Sequence, residues 1–489
     1  MKKIKWKNEY FLYIGMFFLL LLVHHSIFTR HLLTADVLLN NDVYRGYAWE
    51  ISLGRFGLYV IGILKGFHSY PFVDTFVSSI LIVLITACLI RLFDIQNKIS
   101  KMAVILMMVL SPIISATLLF HYCSIAYFLA FFCGVLSVLI YYEAKKPIIK
   151  YVLPIILIVI SLSMYQAYFS LIVTVFVLYQ IKLLLDQKIN YKQSGIYLLL
   201  FVGGVIAYFI CMKLSLWVFH IDMASYSNAN SVGLSTLLQV PKKFIQSYQL
   251  FYEMFFTNHM MKNTYLWNSF FYGLLGIIFV ISLGMKVWKS KMKWQEKVLV
   301  GVLILLMPVF VNSVIFVISD AKVQLLMSAS YLVFLVYMIS FEYKKYLQIG
   351  MIGSLTILLG IYLVQVQASY LTLAETYQSY KTIIREAVLE NQDKKVIAVG
   401  EIKNQDESLL KLNYGYISDD GIFWNEYHLR KLGFERFCSQ AFGMTIEFGS
   451  EEDYNYVRGI PNQDVIYEYN DNIIINLSFV GGEDREENS

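Results

Sequence analysis

The sequence predicts an all-α polytopic membrane protein of about 11 transmembrane helices, followed by a small C-terminal extracytoplasmic α/β domain. Of the 489 residues, 58% are hydrophobic and only 15% are charged, whereas soluble chains have roughly 25% charged residues. Apolar stretches long enough to cross a bilayer recur through residues 1–366. From Leu371 onward, the chain has 11 basic and 22 acidic side chains, a balance typical of a solvated segment. We therefore divide it into a membrane domain, 1–366, and a soluble domain, 367–489.

Each span is taken from hydropathy, and the fifth and sixth come from one apolar stretch of 38 residues, Ile148–Leu185. The polar residues Tyr165 and Gln166 interrupt that stretch, which predicts a tight hairpin there. The predicted spans are Tyr10–Phe28, Phe72–Leu92, Met102–Leu119, Tyr122–Tyr142, Ile148–Ser163, Tyr168–Leu185, Ile196–Val218, Leu266–Val287, Val298–Ile318, Val323–Phe341 and Leu347–Val366.

Lysine and arginine concentrate in every second predicted loop, beginning with the N-terminal segment. Because basic loops stay in the cytoplasm, this alternation predicts a cytoplasmic N-terminus. An odd number of spans then places the C-terminal domain outside, together with the loops Thr29–Pro71, His220–Tyr265 and Ser319–Lys322. Within the C-terminal domain we predict a helix over Glu375–Glu390 and strands over Lys395–Val399 and Ile473–Phe479.

The first outer loop is unusually rich in arginine for its side of the membrane. Residues 1–366 contain four arginines, and three of them, Arg30, Arg45 and Arg55, lie in this loop. Arginine binds phosphate through two parallel N–H groups and keeps its charge at any physiological pH. The cluster therefore predicts contact with a phospholipid headgroup or a polyprenyl phosphate.

Three of the outer acids, Asp36, Asp42 and Glu50, lie in the same loop. The segment from Leu39 to Glu50 predicts an interfacial amphipathic helix capped by Asp42, with Arg45 about one turn away. A carboxylate beside a phosphate-binding cation suits activation of a hydroxyl nucleophile with a phosphate leaving group. Asp42 has an alternative role as the helix cap alone.

Several aromatic and basic side chains of the outer loops each allow two interpretations. Tyr44 and Trp49 suit stacking on a sugar, but an interfacial aromatic belt is the alternative interpretation that the sequence favours. Lys322 suits a further phosphate contact, or a rim ion pair with Asp320. The five cysteines and the outer acids show no metal-ligand spacing, so no metal and no cofactor are predicted.

Several short motifs in this region resemble the GtrII-like glucosyltransferases, which are membrane enzymes of the GT-C type. The motifs are Asn41-Asp42, Arg45, Gly54-Arg55-Phe56 and Tyr165-Gln166. The resemblance implies transfer of a sugar from undecaprenyl phosphate, on the outer face of a bacterial plasma membrane, to a surface polysaccharide such as O-antigen. It implies that Asp42 is the base and that Arg45 and Arg55 lie near the donor phosphate. The arginine cluster adds Arg30 as a further candidate for binding that phosphate. Tyr165 and Gln166 would line the same cavity.

We therefore expect a hexosyltransferase, with glucose as the implied sugar, that inverts the anomeric centre and needs no metal. Its partners would be the lipid-linked donor, the acceptor polysaccharide and the membrane, with a separate donor synthase and flippase and no nucleic acid. A flippase is an alternative, but the predicted spans have few ionisable groups near the midplane. A polysaccharide polymerase or ligase is the closer alternative, although the later outer loops of the membrane domain contain no arginine.

Overall fold

The computed structural model describes residues 10–30, 32, 34–40, 43–224, 239–257, 265–317, 325–341, 343–391, 393–400, 427–450, 452–453, 466–469 and 471–477. Helices dominate the described chain, and a small sheet lies near its C-terminal end. The helices are α1 Tyr10–Val23, α2 Ser26–Thr29, α3 Ala35–Asn40, α4 Ala48–Ser52, α5 Phe56–Leu64, α6 Pro71–Leu92, α7 Lys98–Leu110, α8 Pro112–Leu119, α9 His121–Glu143, α10 Pro147–Met164, α11 Phe169–Leu185, α12 Tyr191–Phe219, α13 Val240–Phe256, α14 Tyr265–Lys289, α15 Trp294–Leu305, α16 Met307–Val311, α17 Ala329–Ser340, α18 Lys345–Glu390 and α19 Tyr427–Phe442. The strands are β1 Lys395–Val399, β2 Glu447–Phe448, β3 Ile466–Tyr469 and β4 Asn472–Asn476.

Among the described residues, eight helical stretches are long and apolar enough to cross a membrane. They correspond to the predicted second to eighth spans and to the last one. The first and tenth predicted spans form the shorter apolar helices α1 and α17. The ninth is broken into α15, α16 and a 3₁₀ turn, where Pro308 opens a new helix and the buried Asn312 amide bonds to backbone carbonyls. A multi-pass helical protein is confirmed, and the number of about 11 spans stays a prediction.

The predicted hairpin between the fifth and sixth spans is confirmed. Helix α10 ends at Met164, and Tyr165 has an extended backbone. A 3₁₀ turn over Gln166–Tyr168 then leads directly into α11.

The predicted helix over Asp42–Glu50 is wrong for residues 43–47. Val43 forms a β-bridge with His68, and the Tyr44 amide donates to the Phe67 carbonyl at 2.9 Å. Gly46 has a left-handed φ of +54°, and a Cβ there would lie 2.9 Å from the backbone of Leu58. Long-range backbone contacts therefore replace the helix, which resumes only at α4.

The C-terminal region is attached through one continuous helix, α18, of 46 residues. This helix includes both the last predicted span and the helix predicted over Glu375–Glu390, so the predicted boundary at residue 367 lies inside it. At 1.5 Å per residue it is about 69 Å long, roughly twice the thickness of a bilayer core.

The sheet that follows has the strand order β2-β1-β4-β3. Strand β1 is parallel to both β2 and β4, whereas β3 and β4 are antiparallel. The first predicted strand is confirmed, and the second is observed as Asn472–Asn476 instead of Ile473–Phe479. With α19 packed on this sheet, the described part of the C-terminal region is an α/β structure, as predicted.

Two contacts join the beginning and the end of the membrane bundle. The Tyr370 hydroxyl lies 2.8 Å from His24 Nδ1, and the Gln367 amide donates to the Val23 carbonyl at 2.7 Å.

Helix α19 packs against α3, and the Arg436 guanidinium donates to the Leu39 carbonyl. The C-terminal domain therefore rests on the first outer loop.

Candidate active site

Arg55 is held in place by a turn between α4 and α5, which the hairpin after α10 and helix α12 support. The turn passes through Gly54, whose φ of +83° is favourable only for glycine. The Gln166 amide donates to the Leu53 carbonyl at 2.5 Å and to the Tyr208 hydroxyl at 2.7 Å. The Tyr208 hydroxyl in turn donates to the Gly54 carbonyl at 3.1 Å. The hairpin after α10 and the helix α12 thus fix the backbone from which Arg55 projects.

The Arg55 guanidinium has one acidic partner and one aromatic partner. Its Nη1 lies 3.4 Å from Glu50 Oε2, and its Cζ lies 5.5 Å from the centre of the Tyr165 ring. The side chain is 20% exposed. Its buried Nε has no hydrogen-bond partner among the described residues, and neither has the buried Tyr165 hydroxyl. Because buried donors are normally paired, these groups mark the place where an acceptor-bearing ligand would complete the network.

Burial and neighbouring charges shift the pKa of several groups in this loop. Burial alone would lower the pKa of Arg55, but the Glu50 carboxylate and the neighbouring tyrosines raise it above its ordinary value. Burial, together with the negative charge of Glu50, raises the pKa of Asp36 to about 6. Burial also raises the pKa of the Tyr44 hydroxyl. Arg55 is thus permanently cationic, while Asp36 changes its charge close to neutral pH.

Tyrosine rings form the wall around these charges. Tyr44 packs edge-on against Tyr122 with ring centres 4.7 Å apart. Tyr127 stacks on Tyr165 with ring centres 4.4 Å apart. Such rings exclude water from a charged group, which strengthens its electrostatic interactions.

A second buried network lies beside the first, and sequence reasoning missed it. Lys65 Nζ lies 2.6 Å from Asp74 Oδ1 and donates to the Tyr122 carbonyl at 3.1 Å. The fully buried Asp74 also accepts from the Ser69 hydroxyl, which lies 2.8 Å from His121 Nδ1. An acid in the first turn of an apolar span was the available signal. The network fixes the start of α9, and with it the ring of Tyr122.

The structure brings several of the predicted site residues together, while others have exposed side chains or lie outside the described residues. The residues that it gathers are Asp36, Tyr44, Glu50, Arg55, Tyr165 and Gln166. Arg30, Arg45 and Trp49 have exposed side chains. Asp42 and Lys322 lie outside the described residues. Within the described ranges, no group of three histidine, cysteine or acidic side chains is arranged to hold a metal ion.

Comparison with known proteins gives one match. The family model described as "Glucosyl transferase GtrII" matches residues 26–341. These residues extend from α2 to the end of α17, and they include both buried networks of the first outer loop. No curated protein and no solved structure matches the chain. Since the family match includes more than half of the sequence, the chain belongs to the GtrII glucosyl transferase family and is a membrane glycosyltransferase.

Proposed function

We propose that this enzyme transfers a hexose, with glucose as the sugar, from undecaprenyl-phosphate-sugar to a cell-surface polysaccharide. The reaction takes place on the extracytoplasmic face of a bacterial plasma membrane. The observation that carries this proposal is Arg55, a cation in a tyrosine-lined cluster with a buried N–H left unpaired among the described residues. A guanidinium matches a sugar phosphodiester in both geometry and charge.

The chemistry is a single displacement. Asp42 removes the proton from an acceptor hydroxyl, and the resulting oxygen attacks the anomeric carbon from the face opposite the lipid phosphate. The bond from that carbon to the phosphate oxygen breaks, and the electron pair leaves with the phosphate. Arg55 stabilises the charge that develops there, so the configuration inverts and no metal is needed.

The other loop residues have supporting roles. Glu50 holds the Arg55 fork in one orientation, and Gln166 fixes the turn below it. Arg30, Arg45 and Lys322 contact the donor phosphate as it arrives from the lipid, and Trp49 stacks on a sugar ring. A separate synthase and flippase supply the donor.

Asp36 is a further carboxyl group near the donor phosphate, in addition to Asp42 and Glu50. With a pKa raised to about 6, it is partly protonated near neutral pH, and its neutral form repels the phosphate least. We assign it a role in donor binding, which leaves the base function to Asp42.

The deciding experiment compares surface-glycan composition and linkage in cells that lack the protein and in cells complemented with variants at equal membrane abundance. We expect one side-branch sugar to disappear, to return with the wild type and with Arg91→Ala, and to stay absent with Asp42→Asn and Arg55→Ala. Arg91 is a matched control because it also pairs with a glutamate, Glu143, at the far end of α6.

Loss of the main polysaccharide chain would instead indicate a polymerase, and an unchanged glycan in the deletion strain would refute sugar transfer. Transfer in isolated membranes should also continue in the presence of a chelator. Inhibition that added Mg²⁺ reverses would contradict the metal-free mechanism.

A further inference from the structure

A polar cleft of about 570 Å³ lies at the opposite end of the bundle from the candidate active site. The segment between α6 and α7 lines it, together with the ends of α11, α14, α17 and the start of α18. Asp74, in the first turn of α6, belongs to the outer-loop network, whereas Asp94, just beyond the last turn, lines the cleft. The 22 residues of α6 separate the two sites by about 33 Å.

The charges that line the cleft are unbalanced. Three lysines, Lys182, Lys188 and Lys286, face two aspartates, Asp94 and Asp186. Asp186 Oδ2 lies 2.7 Å from Lys182 Nζ and 4.0 Å from Lys188 Nζ, so one carboxylate serves two ammonium groups. Among the described residues that line the cleft, one positive charge is therefore left over.

Lys286 is the cation with the least compensation. Its Nζ lies 5.1 Å from the centre of the Phe341 ring, and it has no carboxylate partner among the described residues. The side chain is half-buried. An aromatic ring compensates an ammonium group only in part, so an anion entering the cleft would gain from this charge.

We infer that the cleft binds a phosphate group, which fits the phosphodiester headgroup of an anionic membrane lipid. A phosphodiester has a single negative charge, which matches the one unbalanced positive charge of the described lining residues. The cleft lies between the ends of membrane-spanning helices, on the side where the basic loops concentrate. Basic pockets between such helices commonly hold lipid headgroups. Free phosphate presents the same chemistry, and this site uses no residue of the proposed sugar-transfer mechanism.

The test uses the full-length protein, delipidated in a neutral detergent, with binding followed by native mass spectrometry. The probes are phosphatidylglycerol, diacylglycerol, which lacks the phosphate, and inorganic phosphate. We expect Lys286→Gln to weaken phosphatidylglycerol binding by about tenfold, the effect of losing one charge-assisted hydrogen bond. Lys289→Gln, which changes an exposed lysine one turn further along the same helix, should leave binding unchanged.

Two further variants keep the result interpretable. Lys286→Arg retains the charge and should still bind, while Lys188→Gln removes a second cleft cation and should weaken binding on its own. Binding of inorganic phosphate with the same dependence on Lys286 would support the site and assign its source to a soluble anion. Equal binding of diacylglycerol, or binding that is indifferent to both Lys286→Gln and Lys188→Gln, would overturn it.

Discussion

Arg55 illustrates how a single side chain can combine charge and shape. Glu50 accepts from one edge of its guanidinium, the ring of Tyr165 lies against it, and Nε has no hydrogen-bond partner among the described residues. A lysine would preserve the charge but could not keep Glu50 and a phosphate oxygen in fixed directions at once.

We therefore expect Arg55→Lys to reduce transfer from a polyprenyl-phosphate-sugar donor by about 10- to 100-fold in isolated membranes, the loss typical of a group that stabilises a leaving phosphate. Arg91→Lys is the control, because it makes the same change in an ion pair far from the site. Equal activity in both variants would argue against a phosphate contact by Arg55.

Asp36 makes a pH dependence accessible to measurement. Its pKa is raised to about 6, so its carboxyl group becomes negative as the pH rises through that value. The new charge repels the donor phosphate, and the KM for the donor should increase by up to about tenfold between pH 5 and pH 8. In Asp36→Asn this KM should become independent of pH while kcat is retained. If kcat were lost at every pH, Asp36 itself would be the base.

At the scale of secondary structure, hydropathy predicted those helices and turns that depend only on local composition. Most of the apolar stretches became long helices, and a polar interruption at Tyr165 and Gln166 marked a real hairpin. Residues 43–47 could not be predicted, since their conformation depends on Phe67 and His68, which form pairs from a distant part of the chain. The end of α16 has the same kind of cause, because Asn312, just beyond it, bonds to the Ser247 carbonyl.

The Gly54 turn is the element on which the position of Arg55 depends. A Cβ at Gly54 would lie 2.7 Å from both Met212 Sδ and the Tyr208 hydroxyl, in addition to the strain of its left-handed backbone. Gly54→Ala should therefore displace the turn and reduce transfer at least tenfold, measured at equal membrane abundance.

Gly66→Ala is the matched control, since Gly66 also has a positive φ, of +63°, but its added Cβ would meet no atom of the described residues within 4 Å other than its chain neighbours. That variant should cost stability without a comparable loss of transfer. A similar loss of transfer in both variants would show that backbone strain, and not contact with the hairpin, explains the effect.

For the whole molecule, the distribution of charge singled out one loop as the predicted site. Three of the four arginines in residues 1–366 lie in the loop Thr29–Pro71, where the structure places Arg55 in a buried cluster. Only the structure revealed the buried ion pair between Lys65 and Asp74 and the packing of the C-terminal domain against α3. Both depend on packing between residues far apart in sequence, which periodicity does not encode.

The C-terminal domain contacts the helix that contains Asp36, through α19 and Arg436. Reversing this charge in Arg436→Glu would place a carboxylate against the Leu39 carbonyl, and we expect transfer to fall by up to about fivefold, the scale of an exposed polar contact. Arg385→Glu makes the same change on an exposed part of α18 and should be neutral. Initial rates of both variants in membranes give the comparison, and equal rates would mean that the contact has no influence on catalysis.

The hydrogen bond between His24 and Tyr370 joins residues 346 positions apart, at the root of the first outer loop. The ribosome synthesises the chain from its N-terminus, so α1 enters the membrane long before its partner helix, α18, has been synthesised. The segment around His24 therefore lacks its hydrogen bond to Tyr370 until nearly all of the membrane bundle has been synthesised. The face that contains the candidate site is consequently completed late in biogenesis, once α18 has been inserted.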